Sequence, residues 1–347
     1  MIRLPADRLT EFVAAIFRQA GCEPPEDGQV ARRLVESNLV GHDSHGVIRV
    51  SYYIDWLRKD MVRANRRVQT ILETESMLVL DGQRGFGQSV GEQAMQLAIA
   101  KAQKHGLSLL ALRNTAHLGR IGDWPQLACD AGLCSLFFVN TSGFGMLVAP
   151  WGGIDRRLSA NPVAAGVPVE NGPDLIYDIS TSSIAEGKIK VAFNKGEKVP
   201  PGCIIDSEGN PCDDPNLFYG KPPGAILPFG GHKGYGLGLV AELFAGALTG
   251  SGCTDPEAPY LINGMLALLV DPLRIPNELG FAAEVERFLA FMKSSRKAGP
   301  NSEILVPGEV EARTRAARLA RGIELDDQTW KALCGTAAAA GVAIPAV

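Results

Sequence analysis

The 347-residue chain has no C-x-x-C pair, although it carries seven cysteines: Cys22, Cys129, Cys134, Cys203, Cys212, Cys253 and Cys334. An odd, scattered set in a chain this long excludes a disulfide scaffold and fits reduced thiols in a cytoplasm. No apolar run reaches the roughly 18 residues of a membrane span. The nearest, 237–248, is interrupted by Glu242 and Gly246. The opening Met1-Ile2-Arg3-Leu4-Pro5-Ala6-Asp7 lacks the apolar core of a secretion signal. Excess charge is small, at −4. The densest basic patch, Arg63-Ala64-Asn65-Arg66-Arg67, reads as a solvated loop, so neither nucleic acid nor membrane is an expected partner. His42 and His45 stand three apart without the Cys or carboxylate array that would close a metal shell.

Hydrophobic residues make up 46% of the chain and charged residues 21%, enough for a full core and against global disorder. The length allows two domains or one large α/β unit. Residues 6–20 place Leu9, Phe12, Val13, Ile16 and Phe17 at helical spacing, and Pro24-Pro25 opens a second helix to about 40. Gly41-His42-Asp43-Ser44 breaks that helix, with Asp43 or Ser44 as N-cap of a third helix over 45–58. Strands at 76–80, 107–112 and 133–139 alternate with helices at 88–105 and 123–131. This β-α-β-α-β order argues for an α/β domain. From 140 to 236 glycine and proline are frequent and the elements short: a strand at 175–179, a helix at 182–192, and two extended pieces around the turn Asp206-Ser207-Glu208-Gly209. An apolar helix at 237–248, a strand at 265–270, a helix at 281–292 and an alanine-rich helical tail from 310 follow. No repeat or low-complexity linker marks a domain boundary.

His45, in Gly41-His42-Asp43-Ser44-His45-Gly46-Val47-Ile48-Arg49, is the most informative residue. On a helix, His45 and Arg49 would lie one turn apart on one face. Histidine exchanges a proton near neutral pH and arginine grips a carboxylate through two parallel hydrogen bonds, a pairing suited to reduction of a 2-oxo acid. The alternative is a cap or surface histidine. Gly85-Phe86-Gly87-Gln88-Ser89-Val90-Gly91 follows a strand and opens a helix, yet it is one residue too long for a dinucleotide fingerprint. The next strand ends at Arg113-Asn114 with no acid for a ribose, so a tight turn with close helix packing is preferred. His117 and Arg120 lie just past a strand's carboxyl end, where ligands sit in open α/β sheets; a loop histidine and a solvent-facing arginine are the alternatives. Asp178 also follows a strand and could hold a ribose or tune a histidine, while Thr181 and Ser182 could be N-caps. Phe229-Gly230-Gly231-His232-Lys233-Gly234-Tyr235-Gly236 runs into an apolar helix. It suits either a phosphate, with Lys233 adding charge to the helix N-terminus, or a tight turn before a buried helix.

Taken together, the segments resemble the malate/L-lactate dehydrogenase family that lacks a Rossmann fingerprint, across nearly the whole chain. The matching pieces are Asp43-Ser44-His45-Gly46 with Arg49 and Tyr53, Gly85-Phe86-Gly87-Gln88, His117-Leu118-Gly119, Ala149-Pro150-Trp151-Gly152-Gly153 and Asn161-Pro162. Asp178 through Gly187-Lys188, His232 to Gly236, and Pro307-Gly308-Glu309 complete the series. Each is weak alone; their joint order is specific. Three of the segments, 41–46, 117–122 and 199–206, are most similar to the hydroxycarboxylate dehydrogenase branch, which reduces 2-oxo acids such as phenylpyruvate and hydroxypyruvate.

The resemblance implies an α/β fold with a non-Rossmann, L-sulfolactate-dehydrogenase-like nucleotide domain over 76–299. A helical, dimerising domain would be built from both chain ends, 1–75 with 300–347, in a homodimer. It implies NAD or NADP as cofactor, with NADH favoured. His45 would be the general acid or base, supported by Ser44. Arg49 would clamp the substrate carboxylate, with His117 and Ser142 lining the substrate site. Gly119, Arg120, Ile121, Thr141, Asp178, Ile179, Ser180, Lys188, His232, Lys233, Pro307, Gly308 and Glu309 would contact the dinucleotide. Two stretches depart from the usual pattern: Arg120-Ile121-Gly122-Asp123-Trp124-Pro125, which implies a differently shaped substrate pocket, and Thr141-Ser142-Gly143-Phe144. A reductase of cyclic imino acids and a catalytically silent protein that binds small carboxylates are the competing readings.

Overall fold

The apolar runs become strands of one seven-stranded sheet in the computed structural model, which describes residues 2–143 and 145–346. Phe144 lies outside the described residues. The chain begins with β1 (Ile2–Leu4), α1 (Ala6–Gln19) and α2 (Glu26–Leu39). The apolar positions of α1 fall on one face, and Leu9, Phe12, Val13, Ile16 and Phe17 are all buried. The expected continuous helix over 45–58 is instead two single 3-10 turns, Asp43–His45 and Val47–Arg49, followed by α3 (Val50–Arg58). Asn38 is the cause. Its Oδ1 accepts the Val47 N–H (2.8 Å) and its Nδ2 donates to Asp43 Oδ1 (2.6 Å), while Gly46 is extended at φ −85°, ψ −153°. A Cβ at Gly46 would stand 2.2 Å from Asn38 Oδ1, so only glycine lets the loop close on that side chain.

There follow β2 (Gln69–Glu73), β3 (Met77–Asp81), α4 (Gly87–His105), β4 (Leu107–Thr115), α5 (Asp123–Asp130), β5 (Cys134–Ser142), β6 (Val163–Val167) and β7 (Leu175–Ile179). Next come α6 (Glu186–Lys195), β8 (Ile204–Ile205), β9 (Pro211–Cys212), α7 (Pro215–Phe218), β10 (Ala225–Ile226) and α8 (His232–Glu242). A π-helical turn, Leu243–Leu248, leads to β11 (Ile262–Val270) and α9 (Phe281–Lys293). The chain closes with α10 (Glu309–Arg321), β12 (Ile323–Leu325) and α11 (Asp327–Ala339).

The large sheet runs β2-β3-β4-β11-β5-β6-β7. Only β3 and β4 pair in parallel; β11 is antiparallel to both β4 and β5. A doubly wound sheet is all or mostly parallel, so this order is a different solution to covering a sheet with helices. α4 and α5 pack on it through Ala94, Met95, Ala98, Trp124 and Ala128 against Leu80, Leu112, Phe137 and Met265. The glycines at 85–91 serve that packing. A Cβ on Gly87 would lie 2.3 Å from the His117 carbonyl, and one on Gly91 2.7 Å from the Trp124 ring. They hold α4 hard against the loop after β4, as the tight-packing reading expects.

The two chain ends meet. β1 pairs with β12, and Leu9, Phe17, Leu34, Tyr53, Leu325 and Leu333 share one apolar cluster. Two helices begin elsewhere than expected. α6 starts at Glu186 rather than 182, because Thr181 Oγ1 donates to the Ala160 carbonyl (2.9 Å) and Ser182 bridges to Pro228; neither caps the helix. α8 starts at His232 rather than 237 and tolerates its glycines because they sit under close neighbours. A Cβ at Gly234 would meet the Phe229 carbonyl at 2.3 Å, and one at Gly238 would meet Thr181 Oγ1 at 3.0 Å.

Candidate active site

Three segments bring the chemistry together: the 3-10 turns after α2, the loop after β4 and the start of α3. Asp43, ahead of His45, is fixed from below by Asn38 and from the side by Arg318 of α10 (2.6 and 3.0 Å). Ser44 Oγ lies 3.0 Å from His45 Nδ1, which leaves Nε2 for another partner. Arg49 donates from Nε to the Ser44 carbonyl (2.7 Å), which leaves its two terminal nitrogens for an incoming anion, and its guanidinium sits 6.0 Å from the Tyr52 ring centroid. The start of α6 closes against the same loop: a Cβ at Gly187 would lie 3.0 Å from Ser44 Cβ.

His117 stands beside His45, the two rings nearly parallel at 13° with centroids 5.7 Å apart. Its loop is pinned by Asn263 of β11. Asn263 Oδ1 accepts the Leu118 N–H (2.8 Å), and its Nδ2 donates to Thr141 Oγ1 (2.9 Å). Tyr53 of α3 contacts His117 Nδ1 through its hydroxyl (2.7 Å), and Gln88 of α4 donates from Nε2 to that hydroxyl (2.8 Å). Both histidine residues are part-exposed, but surrounding protein atoms strip most of the water from their rings. Burial first, then Arg49, His117, His42 and Arg120, hold the His45 pKa well below the usual histidine range. Burial and then Arg49 push His117 down to about 3. Both rings are therefore neutral at pH 7 in the unliganded protein.

A second group lines a cleft of about 350 Å3 next to His42: Arg120, Asp178, Ile179, Pro307 and Gly308. Arg120 is buried and ion-paired with Asp123 (2.6 Å). Asp178 Oδ2 accepts the Gly122 N–H (2.7 Å), and burial raises the Asp178 pKa despite that bond and nearby Arg120. The Pro307 carbonyl accepts the Ile176 N–H (3.1 Å), docking this segment on β7. Gly308 turns there at φ +100°, where a Cβ would meet the Asp174 carbonyl at 2.4 Å. His42 Nε2 reaches Glu311 Oε1 at 3.4 Å at the cleft.

The remaining candidates are placed less centrally. Gly119 (φ +78°) and Ile121 are buried within the loop after β4. Ser142 is buried, donating to the Ile262 carbonyl (3.4 Å). Ser180 Oγ meets Ser182 Oγ (2.8 Å). Glu309 braces its own turn by accepting the Val306 N–H (2.9 Å) and pairing with Lys293. Lys188 is exposed on α6. His232 and Lys233 open α8 behind Gly230 and Gly231 (φ +56° and +64°), with His232 edge-on to the exposed Trp151 ring at 6.2 Å. Among the described residues, no group of three or more His, Cys, Asp or Glu could hold a metal ion, and no helix is long and apolar enough to cross a membrane.

Sequence reading gave no role to Asn38, Gln88, Tyr53 or Asn263. Tyr53 and Gln88 fall on apolar helix faces, where a buried hydroxyl or amide leaves no local signature. Asn263 lies in an apolar strand.

A non-Rossmann α/β sheet that presents two neutral histidines beside an arginine fits one class of oxidoreductase. The sequence model of the malate/L-lactate dehydrogenase family matches residues 4–334, and the chain belongs to that family of oxidoreductases. It is 38% identical to hydroxycarboxylate dehydrogenase B of Escherichia coli over 345 residues, 98% of this chain and 95% of the relative. The solved sulfolactate dehydrogenase of Methanocaldococcus jannaschii superposes with a TM-score of 0.87 at 31% identity, over 98% of both chains. The delta1-piperideine-2-carboxylate reductase of Pseudomonas syringae shares the architecture at a TM-score of 0.84 and 27% identity, over 97% of this chain and 100% of that one.

Proposed function

We propose that the chain is an NAD(P)-dependent 2-hydroxycarboxylate dehydrogenase that acts mainly as a 2-oxo acid reductase. One observation carries this reading: Arg49, with two nitrogens unclaimed by Ser44, stands beside His45 and His117, both neutral. Arg49 clamps the substrate carboxylate by a two-bond fork. His45, once protonated, hands that proton to the ketone oxygen in reduction, and neutral His45 takes it from the hydroxyl in oxidation; Ser44 orients it. His117 donates a hydrogen bond to the substrate, and Ser142 is assigned to the same substrate site.

A nicotinamide dinucleotide supplies the hydride that reaches the carbonyl carbon. Arg120, Asp178, Ile179, Pro307 and Gly308 suit its recognition because they share one cleft that holds a buried carboxylate. The reading also gives Gly119, Ile121, Thr141, Ser180 and Lys188 contacts to the dinucleotide, with Glu309 bracing the turn at 306–309, and His232 and Lys233 at the N-terminus of α8 suit the phosphates. NADH is favoured over NADPH: Arg120 is committed to Asp123, and Asp178 and Glu311 would face a 2′-phosphate with negative charge. The reading includes a cytoplasmic homodimer. Exposed apolar side chains on α9 and the π-helical turn are surface that a second copy could cover, within 76–299 rather than in the part built from both chain ends: Phe288, Phe291 and Leu248 are 51%, 63% and 64% exposed. It also includes a part formed by 1–75 with 300–347 that carries the His45 loop, and a cofactor-binding part over 76–299.

The likeness to the piperideine-carboxylate reductase favours a second reading, reduction of a cyclic imine that carries a carboxylate. Thermal unfolding separates a dehydrogenase of either kind from a silent carboxylate binder. NADH alone, at about 100 times its Kd, is expected to stabilise the protein by about 2.7 kcal/mol. A midpoint that moves with 2-oxo acid but never with NADH or NADPH supports the silent binder instead.

A further inference from the structure

We propose that Tyr53 and Gln88 are positioning residues that fix His117 as a neutral Nε2–H donor, so that the two stacked histidines cannot exchange roles. The proposal rests on the dehydrogenase reading for its catalytic consequence, but its physical core is the direction of three hydrogen-bonding groups. Gln88 is 1% exposed, and its Nε2 donates to the Tyr53 hydroxyl (2.8 Å). That oxygen, having accepted, directs its single proton to the remaining neighbour, His117 Nδ1, at 2.7 Å. A ring nitrogen that accepts carries no proton of its own. The His117 proton is therefore on Nε2.

At the other end of the amide, Gln88 Oε1 is buried and receives no hydrogen bond from the described residues, so the Tyr53 hydroxyl is the contact that sets the amide's direction. Gly119 closes the roof of this channel: a Cβ there would lie 2.9 Å from Gln88 Nε2. Tyr53 is 2% exposed, and burial raises its pKa to about 12, so the hydroxyl keeps its proton throughout the working range.

The consequence is a division of labour. His117 presents Nε2–H as a fixed donor toward a substrate oxygen and cannot take a proton on Nδ1 unless the Tyr53 bond reverses, which would leave the buried phenolic proton without its acceptor. His45 has no such lock. Its Nδ1 faces Ser44 Oγ, a rotor that can donate to neutral imidazole or accept from imidazolium. Proton transfer is thereby confined to His45. Neither Tyr53 nor Gln88 touches substrate in this scheme; both act through His117.

Two-bond 1H–15N correlation on the full-length protein labelled with 15N-histidine reads the tautomer directly, without cofactor or substrate. The His117 signals are assigned by their loss in His117→Gln. At pH 7 wild-type His117 is expected to show the Nε2–H pattern. Tyr53→Phe, nearly isosteric, is expected to give a mixture of tautomers and to lower kcat about tenfold, the scale of one hydrogen bond, with KM moving less. Gln88→Glu turns the relay around, because a carboxylate accepts the Tyr53 proton; His117 is then expected to carry its proton on Nδ1. It also keeps the proposal testable should Tyr53→Phe fold poorly. An Nδ1–H pattern in the wild type, or an Nε2–H pattern unchanged in both variants, overturns the proposal whether or not the protein reduces 2-oxo acids. An enzyme inactive on every oxo acid but showing the predicted tautomers refutes the dehydrogenase reading and leaves the lock standing.

Discussion

His45→Ala is expected to lower turnover of a 2-oxo acid about 10²–10⁴-fold, the usual worth of a positioned general acid, while NADH affinity stays within a few-fold. The split follows from position. His45 lies in the 3-10 turn beside Arg49 and His117 and does not line the cleft formed by Asp178, Ile179, Pro307 and Gly308. A specific pH dependence accompanies it. Burial, then Arg49, His117, His42 and Arg120, hold the His45 pKa down in the free protein, so the protonated form that reduction requires is scarce at neutral pH. kcat/KM for reduction should therefore fall about tenfold per pH unit across the neutral range. A substrate carboxylate on Arg49 cancels the cation that, after burial, depresses His45 most. The pKa then rises in the complex, and kcat should break at a higher pH than kcat/KM. Oxidation of the hydroxy acid needs neutral His45 and should not lose rate over the same range. Unchanged turnover in His45→Ala, or equal breaks in the two profiles, would remove His45 from the proton transfer.

Arg49→Ala is expected to cost about 10²–10³-fold in kcat/KM for the 2-oxo acid, from the loss of two charge-assisted hydrogen bonds. Most of this should appear in KM. Stability should change little, because Arg49 is half-exposed and its one hydrogen bond is from Nε to the Ser44 carbonyl. The variant has a second signature. Removing the guanidinium relieves the repulsion on His45, so the break in kcat/KM should move up in pH even as the rate falls. Arg49→Lys keeps the charge and loses the fork; it should restore the low break without restoring KM. An Arg49→Ala enzyme with wild-type KM and kcat would reject the clamp.

How much of this was legible in the sequence depends on how local each cause is. The strand at 175–179 has its expected bounds, and the helix over 6–20 ends within a residue of its expected limit. β6 (Val163–Val167) escaped because its small residues sit in a stretch rich in glycine and proline, with no periodic signal of its own. The His45 segment was found but misshapen: it is not a helix, because a distant side chain, Asn38, takes the hydrogen bonds that would have started one. The pairing of His45 with Arg49 survives that error, since successive 3-10 turns still fold the arginine back onto Ser44. The meeting of His45 with His117 is non-local. It depends on Asn263 reaching from β11 to hold the loop after β4, and on the glycines that let α4 approach. Glu242, which reads as an interruption of an apolar helix, is a buried acceptor for Asn140 (3.0 Å), Asn161 (2.6 Å) and the Thr254 N–H (2.6 Å). The tight packing at Gly85–Gly91 is legible because its cause is local: the spacing is wrong for a turn around a pyrophosphate, and the glycines serve helix packing.

The measurement that bears most directly on the account is the loss of NADH absorbance by the purified protein with a panel of 2-oxo acids, including phenylpyruvate, hydroxypyruvate and oxaloacetate. NADPH and a cyclic ketimine carboxylate are run in parallel. The account predicts substrate-dependent oxidation, faster with NADH than with NADPH, abolished in His45→Ala and weakened through KM in Arg49→Ala. Oxidation with the ketimine alone, or none with any member of the panel, would contradict it.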